Sequence, residues 1–538
     1  MKHIKKLASL LLVLVMVFAL ATTAFAEETA YSITINNSAK DHTYEAYQIF
    51  TGDLSGTTLS NIVWGSGVSE AGQTALGDAA AKAETLKTEA DAKAFAKAVA
   101  PYLTTAAGSA NTVTDGKYVI SGLAAGYYLV KDQDGSLTGD ADAYTEYIIK
   151  VVSDTTATPK SSVPTVEKKV KDTNDSTGVT SDWQDSADYD IGDSVPFQLK
   201  ATLANNVSSY TTYKVVFHDT LSKGLTLNAT YGEGENANVV TSGVTVKVGD
   251  ADADKAANFV ITAVKNADGT TTLTVSCDDV KALGAGNSSV ITVEYTATLN
   301  ESAVLGSAGN PNKVKLEYSN NPNKSEEGNN ETGKTPEDTV IVFTYKTIVN
   351  KVTENPNYDP EAEDSEKYIP RTGAAFKLEK LIKGKDGAAD TWTMVKEFTV
   401  DETTTSFTFS GLDDGRYKLT ETKTPAGYNT IDPIYFVIEA THDETAAAPA
   451  LKTLNAYLTD ANGNKQTETK DGASVNIDLG TVDPTAGSIT TDVVNKAGST
   501  LPSTGGIGTT IFYVLGGVLV LAAVVLLVTK KRMSGAEM

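Results

Sequence analysis

The sequence predicts a mainly β protein: tandem Ig-like β-sandwich domains, a helical insertion in the first of them, and a C-terminal single transmembrane helix. Three observations carry that expectation. Short runs of alternating Val, Thr, Tyr and Ile recur between Gly, Asn and Asp turns. One stretch, Ser69–Leu103, is instead rich in Ala, Lys and Glu with little Gly or Pro, the composition of one or two helices. Lastly, the apolar run Ile511–Val528, eighteen residues, is just long enough to cross a bilayer.

Composition narrows the function. The 538 residues suit three or four domains of roughly 150 each. With 45 Lys and Arg against 68 Asp and Glu, the formal charge is −23, and such a surface repels nucleic acid and anionic lipid. Four histidines and one cysteine leave little material for a zinc site or a disulfide framework, and no cofactor or metal is expected. Cys277 ends the alternating Thr272–Cys277 run and reads as a small buried side chain.

The strands are expected at Tyr31–Asn36, Glu146–Val152, Tyr213–Phe217, Ser289–Thr298, Val314–Tyr318 and Thr339–Val349. Two composition shifts divide them: the Thr, Ser and Pro stretch Thr155–Pro164, and the Asn, Glu, Gly and Lys tract Ser319–Asp338. The expected organisation is a signal peptide at 1–26, domains at 27–160, 161–344 and 345–500, and a terminal signal at 501–538. A faint repeat links Gly122–Asp132 with Gly411–Glu421, aligning Asp132 with Glu421 and implying a shared sheet topology for the first and last domains.

The ends give an address. Lys2, Lys5 and Lys6 precede the apolar run Leu7–Ala21 and the small-x-small site Ala24-Phe25-Ala26, the layout of a cleaved export signal. At the other end, Leu501-Pro502-Ser503-Thr504-Gly505 precedes the apolar run and then Lys530-Lys531-Arg532, a basic tail held in the cytoplasm. This resembles the sorting signal of Gram-positive surface proteins. The resemblance implies that a sortase cysteine attacks the Thr504 carbonyl, releases Gly505 onward and passes the acyl group to an amine.

Gly373-Ala374-Ala375-Phe376-Lys377-Leu378 and Tyr417–Tyr428 resemble the first-strand motif and Glu-box of Cna B-type domains of Gram-positive pilins and adhesins. In that family a Lys and an Asn join as an isopeptide under the influence of the Glu-box glutamate. Here Glu421 matches the acid, and Lys351 and Asn495 match the bonded pair. Strand parity agrees: Phe343, Tyr345, Thr347, Val349 and Lys351 share one face, as do Ile489, Val493 and Asn495, and Tyr417, Leu419 and Glu421. Burial favours neutral lysine, a nucleophile, and a protonated acid able to polarise the Asn carboxamide. Ammonia then leaves once, without turnover.

The middle region repeats the logic with an aspartate. Val166, Lys168 and Val170 alternate, and Tyr213, Val215, Phe217 and Asp219 alternate into a segment resembling the aspartate-containing isopeptide domain of fimbrial backbone subunits. Asn312 best matches the family asparagine, although Asn310 and Asn320 share its parity. In the first domain Asp132 holds the acid position, but the strand Tyr31–Asn36 has no lysine, and no such bond is expected. Pro159-Lys160 retains part of the pilin motif, whose lysine accepts the sorting-signal threonine of the next subunit. The whole resembles a sortase-assembled pilus backbone subunit: not an enzyme, exported and wall-anchored, with pilus-type and housekeeping sortases, identical subunits and peptidoglycan as partners, and room for minor tip or base pilins. The rival reading is a wall-anchored monomeric adhesin for a host or carbohydrate ligand. Asp460-Ala461-Asn462-Gly463-Asn464 begins like a calcium loop, but Lys465 occupies the required glycine position.

Overall fold

The structure is a computed structural model that describes residues 30–137, 143–159, 162–249, 253–326, 328–359, 361, 367–466, 477–478, 482–498 and 507–533. It is mainly β: tandem Ig-like sandwiches with few helices. Its sheets fall along the chain in three successive groups, the first with an apolar core on each face of its larger sheet and the other two with one core each.

In the first group, Gly126–Asp132 carries the continuous apolar run Tyr127–Val130 and Tyr44–Ser55 buries side chains of both parities, because their sheet is covered on both faces. Tyr44, Ala46, Tyr128 and Val130 pack against the small sheet containing Tyr31–Asn36. Tyr47, Ile49, Tyr127 and Leu129 point the other way, into a core shared with Phe95, Ala96 and Val99 from the helical stretch. That stretch forms three helices, Glu70–Leu76, Ala79–Thr85 and Glu89–Val99, where one or two were expected. Two caps inside the Ala-rich run explain the difference: Asp78 accepts from Ala81 N at 2.8 Å, and Thr88 forms a capping box with Asp91.

The middle group faces a five-stranded sheet containing Thr165–Val170, Ser194–Thr202 and Val290–Leu299 against a seven-stranded one containing Val215–Leu221, Asn310–Ser319 and Asp338–Phe343. In the third group, Tyr345–Glu354 pairs in parallel with Ser488–Val494 and antiparallel with Ser406–Leu412. Tyr31–Asn36 has the same two neighbours, Thr155–Ala157 in parallel and Lys117–Leu123 antiparallel. The Gly122–Asp132 and Gly411–Glu421 segments are thus corresponding crossings from one sheet of a sandwich to the other, with Gly122 and Gly411 both at φ 78°.

Two sequence expectations need correction. Thr155–Ala157 is a strand of the first group, so the irregular stretch begins after it. The expected strand Thr339–Val349 is two strands, Asp338–Phe343 and Tyr345–Glu354, belonging to different sheets. The break is at Thr344, whose hydroxyl donates to Leu412 O at 3.1 Å and whose carbonyl accepts from Gly306 N at 3.0 Å. The parity argument for Lys351 therefore holds only from Tyr345 onward. A terminal helix runs Ile507–Met533. Among the described residues no helix is long and apolar enough to cross a membrane. The side chains described in that helix are those of 514–530, so part of the run Ile511–Val528 lies outside them.

Candidate functional site

In the middle sandwich, four polar side chains from four strands meet in an apolar core. Lys168 and Tyr295 come from one sheet, Asp219 and Asn312 from the other. Lys168, Asp219 and Asn312 are fully buried and Tyr295 nearly so. Lys168 Nζ donates to Asp219 Oδ1 at 2.5 Å and to the Tyr295 hydroxyl at 3.1 Å. Tyr295 donates to Asp219 Oδ2 and accepts from Asn312 Nδ2 at 2.8 Å. The Asn312 carbonyl oxygen has no partner, an orphaned acceptor in a dry core. Burial lowers the Lys168 pKa against the pull of Asp219, and burial raises that of Asp219 against the pull of Lys168. Both shifts favour the neutral pair, amine beside carboxylic acid.

The two alternative asparagines are placed elsewhere. Asn310 is engaged with Val304 and Val342 backbone atoms. Asn320 follows the far end of the strand, roughly 27 Å along it from Asn312 at the rise of an extended chain.

In the third sandwich, Lys351 pairs with Val493, two residues before Asn495, across the parallel first and last strands. Lys351 Nζ donates to Val352 O at 3.0 Å and Val493 O at 2.9 Å. Burial lowers its pKa to about 8, although Glu421 acts to raise it. Asn495 Nδ2 donates to both oxygens of Glu421 at 3.0 Å and to Asn429 O at 3.0 Å, and Asn495 Oδ1 is buried without a partner. The acid therefore meets the carboxamide at its nitrogen. The Asn429 carbonyl fixes that orientation. Chemically, each cluster presents an amine, an amide and an acid shielded from water, the ingredients of transamidation with loss of ammonia.

Comparison with known proteins agrees with this architecture. Residues 191–322 match the family model of the Gram-positive pilin backbone subunit 2, Cna-B-like domain; 362–450 match a prealbumin-like fold domain; and 493–534 match the LPXTG cell wall anchor motif. The trypsin-resistant surface T6 protein of Streptococcus pyogenes serotype M6 is 25% identical over 424 residues, 70% of this chain and 70% of that protein. The chain is a Gram-positive pilus backbone subunit. The pilin shares its fold with the solved T6 backbone pilin of serotype M6 S. pyogenes, at a TM-score of 0.52 and 18% identity, covering 88% of this chain and 100% of that one. The major pilin SpaD of Corynebacterium diphtheriae, at 0.45 and 16%, covers the same shares. The anchor motif makes this pilin an exported, wall-anchored sortase substrate.

The first sandwich of the pilin holds a different cluster. Register places Asn37 where Lys351 stands, since Ile33 pairs with Ile120 as Thr347 pairs with Phe409. Asp132 is answered by His42 Nδ1 at 2.7 Å and by the Thr145 backbone N–H at 2.8 Å and hydroxyl at 3.0 Å. Sequence reasoning missed His42, which has no strand alternation to announce it. It also missed Tyr295, although the inward alternation Val293, Tyr295, Ala297 could have found it. Cys277 is buried, and burial raises its thiol pKa. Asp460 is used as a turn, accepting from Asn462 N at 2.9 Å and Asn464 N at 2.8 Å. Two acidic groups, Asp172–Asp188–His442 and Asp175–Asp190–Asp193–Asp413, have ligand-type spacing, but Lys380 already sits among the second. Lys160, Leu501, Pro502, Ser503, Thr504, Gly505 and the expected signal peptide lie outside the described residues.

Proposed function

We propose that this pilin forms the shaft of a pilus, polymerised by sortase from Thr504 of one subunit to Lys160 of the next and stapled internally by Lys168–Asn312 and Lys351–Asn495 isopeptide bonds. The observation that carries the stapling is the complete burial of both lysines beside an acid and an orphaned amide carbonyl. A buried lysine kept only as a charge is costly, whereas an amide is neutral. Both bonds would join the first strand of a sandwich to a residue at or beside its closing strands, so tension along the chain would be carried by covalent links. The three sheet groups support a division of the chain into three domains, and Thr344 is the point where the chain changes sheets. Lys160 would lie between the last strand of the first sandwich, Thr155–Ala157, and the first of the middle one, Thr165–Val170. The terminal helix exposes every described side chain from Val514 to Lys530, apolar ones included, which suits a lipid-facing span ahead of a basic tail.

Polymerisation is tested by immunoblotting muramidase-released wall protein from wild-type and Lys160→Ala cells. A detergent-resistant ladder in the wild type that collapses to monomer in the variant is expected. A ladder that persists would move the acceptor to another lysine, and a single band in both strains would favour the monomeric adhesin.

The third-domain bond should also depend on pH. Its reactive species is neutral Lys351, and with a pKa of about 8 the neutral fraction falls roughly fifty-fold between pH 8 and pH 6. Bond formation in newly folded chain, followed by timed tryptic mapping, is expected to slow in that direction. Equal rates at the two pH values would count against amine attack as the limiting step.

A further inference from the structure

The two clusters solve one chemical problem with acids of different length. Transamidation forms the Nζ–Cγ bond and breaks the Cγ–Nδ2 bond of the asparagine, and the departing nitrogen must gain a proton to leave as ammonia. In the third sandwich the glutamate reaches that nitrogen itself, with both oxygens of Glu421 at 3.0 Å from Asn495 Nδ2. In the middle sandwich the acid is one methylene shorter. Asp219 contacts Lys168, while the group in contact with Asn312 Nδ2 is the hydroxyl of Tyr295 at 2.8 Å. That hydroxyl also donates to Asp219 and lies 3.1 Å from Lys168 Nζ. One phenol thus touches the amine, the acid and the leaving nitrogen.

We propose that Tyr295 is a catalytic residue of the middle-domain bond, its hydroxyl relaying a proton from Asp219 to the amide nitrogen of Asn312 as ammonia departs. This rests on the isopeptide reading given above. The balance is closed without any outside reagent. Asp219 takes a proton from the Lys168 ammonium, and the neutral amine attacks Cγ of Asn312. Tyr295 then gives its proton to the nitrogen that leaves and is reprotonated by Asp219. The second proton shed by the Lys168 nitrogen passes to Asp219 and goes out with ammonia as ammonium, leaving the aspartate ionised. Tyr295 is well placed for the task. Its ring is stacked on Phe197 with centroids 5.5 Å apart, and its strand is paired on both sides, with Ser194–Thr202 and Val244–Val248. The hydroxyl therefore has a fixed position in a core closed to the surface.

The test is tryptic mapping of the full chain, sampled during expression, for the branched Lys168–Asn312 peptide. The Lys351–Asn495 peptide in the same sample serves as an internal clock. Tyr295→Phe is expected to slow the middle bond at least tenfold and leave the third-domain bond unchanged. Phe197→Leu, which loosens the packing that positions the ring but keeps the hydroxyl, is expected to slow the middle bond several-fold less than Tyr295→Phe does. Asp219→Glu combined with Tyr295→Phe supplies an acid long enough to reach Asn312 and is expected to recover the bond. The double variant also decides the matter if the single Phe variant does not fold. Bonding of Tyr295→Phe at the wild-type rate would overturn the role of Tyr295 and leave the isopeptide reading standing. Equal slowing by Phe197→Leu, or a folded double variant without the bond, would reduce Tyr295 to packing. Absence of the branched peptide in the wild type would instead remove the isopeptide reading itself.

Discussion

A chain carrying Asp219→Ala and Glu421→Ala together is expected to be heavier than calculated from the wild-type mass by two ammonias, roughly 34 Da after allowing for the substitutions, because neither displacement would occur. Each single variant should restore one ammonia. Each proposed bond would close a loop of roughly 145 residues, worth about 5 kcal/mol in the chain-entropy account. For cooperative units of this size that corresponds to a fall in Tm of roughly 10–20 °C for the domain concerned. Removing the acid also strands a buried amine, which is destabilising by itself. The two causes separate in a chain with Lys168→Met and Asp219→Leu. An apolar replacement of a buried ion pair is usually neutral or stabilising, so a large loss there belongs to the covalent bond. A wild-type mass equal to that of the unmodified sequence would sink both bonds at once.

What was legible in the sequence follows from how locally each feature is encoded. Strand alternation puts Lys168, Asp219 and Asn312 on inward faces, and all three are buried. It carries no information about which inward residues meet across the core, and so Tyr295 went unnoticed. Alternation also ran straight through Thr344, because Phe343 and Tyr345 are both buried although they belong to different sheets. The division of the helical stretch was written in Asp78 and Thr88, but capping residues inside an Ala-rich run are weaker signals than composition. The orientation of Asn495 depends on the carbonyl of Asn429, a contact 66 residues distant that no local pattern records.

Lys380→Met is expected to loosen the junction between the middle and third sandwiches. The Lys380 side chain is 2% exposed, and its ammonium contacts Asp413 of its own sandwich together with Asp190 at 2.7 Å and Asp175 at 3.2 Å from the middle one. Burial alone would lower its pKa, but these three carboxylates raise it well above the usual lysine range. Asp413 is fully buried and has one oxygen without a partner. Losing the cation leaves carboxylates facing one another, a change worth about 3–5 kcal/mol when buried partners are stranded. Acidification should relieve part of that. Burial, followed by neighbouring carboxylates, raises Asp193 to about 6 and raises Asp413 and Asp414 as well. For acids whose folded-state pKa is raised, the penalty is fully present above the folded value and is relieved as pH falls toward the unfolded one. The deficit of Lys380→Met in thermal unfolding should therefore be larger at pH 7 than at pH 5. A variant matching wild type at pH 7, or a deficit that grows on acidification, would refute this account. Backbone bonds also cross this junction, Ile191 N to Gly411 O at 3.0 Å, Lys383 N to Asp175 O at 2.8 Å and Ser307 N to Pro484 O at 3.0 Å. A side chain at Gly411 would collide with Ile191, its Cβ meeting that residue at 2.6 Å. The first junction is joined by a backbone bond, Tyr144 N to Asn320 O at 2.8 Å, and by exposed side chains, Lys97 Nζ donating to the Thr211 hydroxyl at 2.7 Å and the half-exposed pair Lys324–Asp134 at 3.3 Å, with no buried cation between the two sandwiches among the described residues. Bending of the subunit should accordingly concentrate between the first and middle sandwiches, next to the segment that carries Lys160, while the two sandwiches with buried lysines move together through Lys380.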